Sequence, residues 1–121
     1  KLERLLAVNP DNYPLTVLQS DALWQARRFE ESSKVLRALS RQRSEDPNIW
    51  YRLAEVSGLA GDISGVHRAR AEYFVLVGAF DLARKQLAKA ASLVASDFKQ
   101  SAIVRQRLRD LADMEDRVVK L

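Results

Sequence analysis

Three short segments punctuate this chain in the same way. Phe29 follows Arg27-Arg28, Ile63 follows Gly61-Asp62 and Phe80 follows Gly78-Ala79, each opening a stretch with helical apolar periodicity. The first two openings lie 34 residues apart and the last two 17 apart. A 34-residue unit holds two helices and their turns, and 17 is one helix plus one turn, so the spacing predicts helices folded back on one another in succession. Helices arranged this way satisfy each other's apolar stripes and leave one face open. The pattern therefore points to a surface for binding, not to a site for chemistry.

Local signals place the helices. Asn12-Tyr13-Pro14 opens the first full helix, roughly 14–26, because proline is tolerated in a first turn and pushes the residue before it out of helix. After the turn at Arg27-Arg28, a second helix covers roughly 29–43, with Phe29, Ser32, Leu36 and Leu39 as its inward stripe. Asp46-Pro47 combines an N-cap with proline at the first helical position and starts a third, roughly 47–60. Gly61-Asp62 ends it and caps a fourth, roughly 63–77. Gly78-Ala79 turns into a fifth, roughly 80–95, with Leu82, Ala83, Leu87, Ala90 and Ala91 apolar. Ser96-Asp97 opens a longer last helix, to about 120. The central helices are near 14 residues, or about 21 Å, and connections of two to four residues force neighbours to run antiparallel. No stretch alternates with period two, so the fold class is all-α.

The last helix carries Val104, Leu108, Leu111 and Val118 as a single apolar stripe, with both charge signs elsewhere. Asp113 with Arg117, and Asp116 with Lys120, form i,i+4 pairs in the favourable order. A helix of that kind suits the end of a solenoid, covering the last unit while staying hydrated. The same stripe would also serve as a coiled-coil arm for self-association. At the other end, Lys1 to Val8 carries Leu2, Leu5 and Leu6 on one face before Asn9-Pro10 and reads as the tail of a helix that begins upstream.

Composition narrows the function classes. The 121 residues amount to one domain, and at 47% apolar they can bury a core. No run of about 18 apolar residues exists to span a membrane. The absence of cysteine removes disulfides, thiol nucleophiles and thiolate metal sites, and leaves the redox compartment open. Net charge is +4, from 20 basic and 16 acidic side chains. It is concentrated between Arg27 and Arg43, where Arg27, Arg28, Lys34, Arg37, Arg41 and Arg43 face only Glu30 and Glu31.

Position by position, the units follow the tetratricopeptide (TPR) pattern, which sets large residues where helices cross and small ones where backbones approach. In the unit at 13–46, Ser20, Leu23, Ser32 and Leu36 match, whereas Thr16, Gln19 and Leu39 depart. In the unit at 47–77, Trp50, Leu53 and Ala54 give a specific W-x-x-L-A match in the first helix, but Val66 and Arg70 misfit the second. Shifted by 17 residues, that second helix becomes a first helix, with Ala71 and Phe74 in place, followed by Gly78, Phe80, Ala83, Leu87 and Ala90. Helix 63–77 thus belongs to two hairpins, the second spanning 64–95, and a capping helix at 97–120 completes a single TPR-like α-solenoid over 1–121.

A narrower resemblance rests on His67-Arg68-Ala69-Arg70-Ala71-Glu72-Tyr73, then Gly78, Ala83, Gln86-Leu87 and Ala90, and the basic last helix. These residues resemble the C-terminal TPR region of periplasmic zinc metallopeptidases of the BepA type, the β-barrel assembly-enhancing proteases. The resemblance implies a periplasmic location, with zinc held in a separate upstream protease domain bearing H-E-x-x-H. It also implies protein partners, either outer-membrane assembly machinery or its stalled clients. No His-Glu pair occurs here, so the zinc ligands map onto no position of this chain. The chain itself is expected to be non-enzymatic and without a cofactor.

Candidate residues follow from the repeat frame. First helices line the concave face, which assigns Val17, Asp21, Trp24, Gln25, Tyr51, Glu55 and Leu59 to a protein-binding groove. Trp24 and Tyr51 are its expected anchors, since aromatic side chains give large contact area at low entropic cost, the alternative for Trp24 being core packing beneath the turn at Arg27-Arg28. The Lys, Asn and Arg clamp by which some TPR domains grip a C-terminal carboxylate is absent, because Val17, Asp21, Tyr51 and Glu55 hold those positions. Lys34, Arg37 and Arg41 share one face of the second helix, on the expected convex side. Hydration accounts for such a stripe, an acidic protein partner is its next use, and nucleic acid or an anionic lipid surface comes last, no aromatic or Gly-rich RNA-binding signature accompanying it. His67 is the one histidine, too few for a zinc site, and is expected to be a turn-proximal surface or packing residue; Glu72 has neither nucleophile nor partner acid nearby in sequence and is expected to pack or hydrogen-bond between helices.

Overall fold

In the computed structural model, which describes residues 13–120, the three punctuating turns are copies of one another. Arg27, Gly61 and Gly78 each adopt left-handed backbone, at φ 59, 84 and 79°. Around each, the next amide reaches back five residues: Arg28 N to Leu23 O at 2.8 Å, Asp62 N to Ser57 O at 2.9 Å and Ala79 N to Phe74 O at 2.8 Å. The left-handed residue itself donates three residues back, to Trp24 O, Gly58 O and Val75 O. This is the Schellman closure, which satisfies a helix's last carbonyls and reverses the chain in few residues. Its left-handed residues recur at the 34- and 17-residue spacing of the sequence.

The described residues form six helices, α1 (Tyr13–Gln25), α2 (Phe29–Gln42), α3 (Pro47–Leu59), α4 (Ile63–Leu76), α5 (Phe80–Leu93) and α6 (Phe98–Lys120), and the three turns join α1 to α2, α3 to α4 and α4 to α5. The expected boundaries are met within two residues. Asp46 caps α3 by accepting from Asn48 N at 3.0 Å, with Pro47 in the first turn. Asp62 caps α4 by accepting from Gly65 N, also at 3.0 Å. There is no strand among the described residues. The expected helical tail at residues 1–8 lies outside them.

Extensive packing joins only successive helices, α1 with α2, α2 with α3, and so on to α6. The core is correspondingly divided. One cluster gathers Leu36, Leu53, Ala54, Val56 and Ala69, flanked by Trp24, Phe29 and Trp50. The other gathers Ala71, Ala83, Leu87, Ala90, Val94, Val104 and Leu111, flanked by Phe74, Phe80 and Leu108. α4 belongs to both, through Ala69 on one face and Ala71 on the other. The small residues of the repeat pattern lie where helices meet: Ser20, Ser32, Ala71, Ala83 and Ala90 are fully buried. Ser32 Oγ donates to the Ser20 carbonyl at 3.0 Å, tying α2 to α1.

Three expectations about apolar and charged stripes are corrected. Leu82 is exposed, because α5 is covered on one side only and Ala83, one residue on, takes the buried position. Val118 is half exposed, since α6 runs past the end of α5 and its last turns have no helix beneath them. The Asp113–Arg117 pair does not form; α6 instead uses Glu115 to reach Arg84 of α5, and Asp110 to meet Arg107 at 3.6 Å. The side chain of Lys120, and with it the pairing to Asp116, lies outside the described residues.

Candidate protein-binding groove

α1 and α3 face each other across an open hollow of about 490 Å³, lined by Asp21, Trp24, Gln25, Tyr51, Arg52 and Glu55. Five of these are residues that the repeat frame assigned to one face. Each of the two helices contributes positions three and four apart, so their side chains project together. Val17 is half-buried on α1 and Leu59 exposed at the end of α3, and neither lines this hollow.

The two aromatic residues of the hollow are held differently. Trp24 is half-buried, packed edge-on against Phe29 with ring centroids 6.4 Å apart, so it serves the core and the hollow together. Tyr51 is 54% exposed and leans on Tyr73 of α4 at 5.8 Å. Tyr73 in turn meets Phe74 at 5.6 Å. These rings carry the surface onward into a second hollow of about 150 Å³, lined by Tyr51, Ala54, Glu55, Arg70, Tyr73 and Phe74. Tyr51 and Glu55 are common to both hollows, making one groove that crosses α1, α3 and α4.

The α4 wall of this groove was not foreseen. Shifting the first-helix frame by 17 residues carries Tyr51 and Glu55 onto Arg68 and Glu72, yet the groove uses Arg70, Tyr73 and Phe74. With about 100° of rotation per residue, these stand on the opposite side of the helix from Arg68 and Glu72. The misfit of Arg70 in the second-helix pattern was the available signal, since a charged side chain at a nominally apolar position implies an exposed face.

Arg68 and Glu72 serve the other side of α4. Arg68 donates to Gln100 of α6 at 2.8 Å, and Glu72 accepts two bonds from Arg107 of α6, at 2.7 and 2.6 Å. The Glu72 carboxylate holds the Arg107 guanidinium above its already high ordinary pKa, against the opposing effect of burial. Glu72 thus braces two helices, as does His67, whose Nδ1 meets Gln86 Oε1 of α5 at 2.7 Å.

On that side lies a separate hollow of about 480 Å³ that includes Arg37, Arg41, Trp50, Asp62, Arg68 and Glu72. The basic stripe of α2 is therefore divided. Lys34 stands exposed, while Arg37 and Arg41 line the hollow and Arg37 reaches Asp62 at 3.4 Å.

Among the described residues no three of His, Cys, Asp or Glu gather where a metal ion would sit, and no helix is long and apolar enough to cross a membrane. Comparison with family models and with curated proteins finds no match to this chain.

Proposed function

We propose that the chain is a protein-interaction module, a TPR-like array of antiparallel hairpins that holds another polypeptide in the groove across α1, α3 and α4. One observation carries this reading: residues assigned to a common face by a repeat frame, Asp21, Trp24, Gln25, Tyr51 and Glu55, converge on one open hollow with Tyr51 half exposed. Packing confined largely to successive helices supports an open array, because a closed bundle would also join distant helices. The three repeated Schellman turns support the same period.

The finer placement rests on the resemblance of the His67 to Tyr73 run. On that basis the chain is the recruiting region of a periplasmic zinc metallopeptidase that acts in outer-membrane protein assembly and quality control. Affinity capture from an envelope extract tests both levels. Recovery of an assembly component by the unaltered chain, and its loss with Tyr51→Ala, is the expected result. Equal capture by Tyr51→Ala removes the groove from the account. Capture that depends on Tyr51 but contains no envelope assembly component removes the placement alone.

A second reading, a scaffold that self-associates through α6, is favoured by the exposed apolar residues of that helix, Phe98, Ile103, Val118 and Val119. Sedimentation that shows a monomer at all concentrations eliminates it.

A further inference from the structure

The groove contains charges that the fold itself does not use. Asp21 is closed off by Arg52 of α3 at 2.5 Å. Glu55, at the junction of the two hollows, has no hydrogen bond or ion pair among the described residues, and the same is true of Arg70 at the α4 end. A carboxylate beside two aromatic rings, Trp24 and Tyr51, is the chemistry that receives a cation: the rings attract it through their quadrupoles and the carboxylate accepts its N–H groups. The second hollow is walled by Ala54, Tyr51, Tyr73 and Phe74, and its roughly 150 Å³ matches cavities that hold a benzene-sized group. Arg70 on its rim opposes a cation there.

We propose that the groove selects an extended polypeptide segment in which a Lys or Arg side chain enters the α1–α3 hollow beside Glu55 and a neighbouring apolar side chain fills the α3–α4 hollow. This deepens the groove reading and depends on it. The charge is local: the chain as a whole is +4, so its general field does not draw basic segments in. Acidic tails find no carboxylate clamp and meet the Glu55 carboxylate at the junction of the two hollows, which leaves Arg70 at the α4 rim as their one attraction.

The test is selection of peptides from an unbiased displayed library on the full 121-residue chain, followed by anisotropy titration of the enriched peptides, with Glu55→Lys and Tyr51→Ala variants alongside. Both positions are exposed, and circular dichroism checks that each variant is folded. The unaltered chain is expected to enrich Lys or Arg next to an aliphatic or aromatic residue, and to lose about tenfold in affinity when that basic residue becomes Gln. Glu55→Lys should reverse the preference toward Asp or Glu. Enrichment that depends on Tyr51 but shows no charge preference, or the same preference in both chains, overturns the basic-segment assignment while sparing the groove. Enrichment of no Tyr51-dependent sequence overturns both.

Discussion

Replacing Gly78 by alanine isolates the energetics of the repeated turn. A Cβ built at Gly78 or Gly61 meets nothing within 4 Å, so no steric clash with neighbouring groups enters and the penalty is that of left-handed backbone alone. That penalty is about 1–2 kcal/mol for a residue with a Cβ, and the lower entropy of the unfolded alanine chain returns about 0.4–1 kcal/mol. Gly78→Ala and Gly61→Ala should therefore each destabilise by about 1 kcal/mol. Arg27 supplies the reciprocal experiment, since it holds φ 59° with an exposed side chain. Arg27→Gly should stabilise by a few tenths to about 1 kcal/mol, although glycine ordinarily weakens a chain. Urea unfolding followed by circular dichroism gives the midpoints, and equal slopes confirm that the same surface is exposed. For a chain of this size 1 kcal/mol corresponds to a melting shift of about 4 °C. Hydrogen exchange at the 23–28 and 74–79 turns separates local from global loss. A neutral Gly78→Ala, or an Arg27→Gly that destabilises, would refute the claim that these turns are one device used three times.

Two further outcomes follow from the ion pairs. Glu72→Ala should cost about 1–2 kcal/mol, because it strips both acceptors from the partly buried Arg107, and a double-mutant cycle with Arg107→Ala should return most of that as coupling. A cycle with no coupling would show that the Glu72–Arg107 pair contributes nothing to holding α6 against α4. Glu31 is held below its ordinary pKa of 4.5, first by its hydrogen bond from Arg28. A depressed folded value means that the stabilisation is present above about pH 4.5 and is lost as the pH falls through that lower value. Carboxyl titration by NMR should place Glu31 below its ordinary value, and Arg28→Ala should raise it.

The helices were legible because their ends are fixed by local chemistry. Proline at 47 after a capping Asp46, and glycines at 61 and 78, act within one turn of where they stand. The same holds for the alternation of small and large residues, since Ser20, Ser32, Ala83 and Ala90 can be buried only where backbones come close. Five groove residues were legible for a related reason: residues four apart on α1 and on α3 share a face whatever those helices pack against. The rest depended on how one helix is rotated against the next. Beyond the charged Arg70 at a nominally apolar position, nothing within α4 says that Tyr73 and Phe74 turn toward α3 while Arg68 and Glu72 turn toward α6. The Arg52–Asp21 pair joins side chains 31 positions apart, and only the packing of α3 beside α1 brings them together. Arg37 and Arg41 read as a solvated stripe, and both keep contact with solvent, but only the packing of α3 and α4 beside α2 brings Asp62 within reach of Arg37.

The divided core has a mechanical consequence. Ala69 and Ala71 anchor separate clusters from opposite sides of a single helix, so tension applied between the two ends is borne in series, with α4 as the coupling. Stretching would release one cluster while the other still holds its shape, and the molecule would lengthen in stages instead of giving way at once. A groove that runs from one cluster's helices onto that coupling would feel the strain directly and loosen its hold on whatever it carries before either end comes apart.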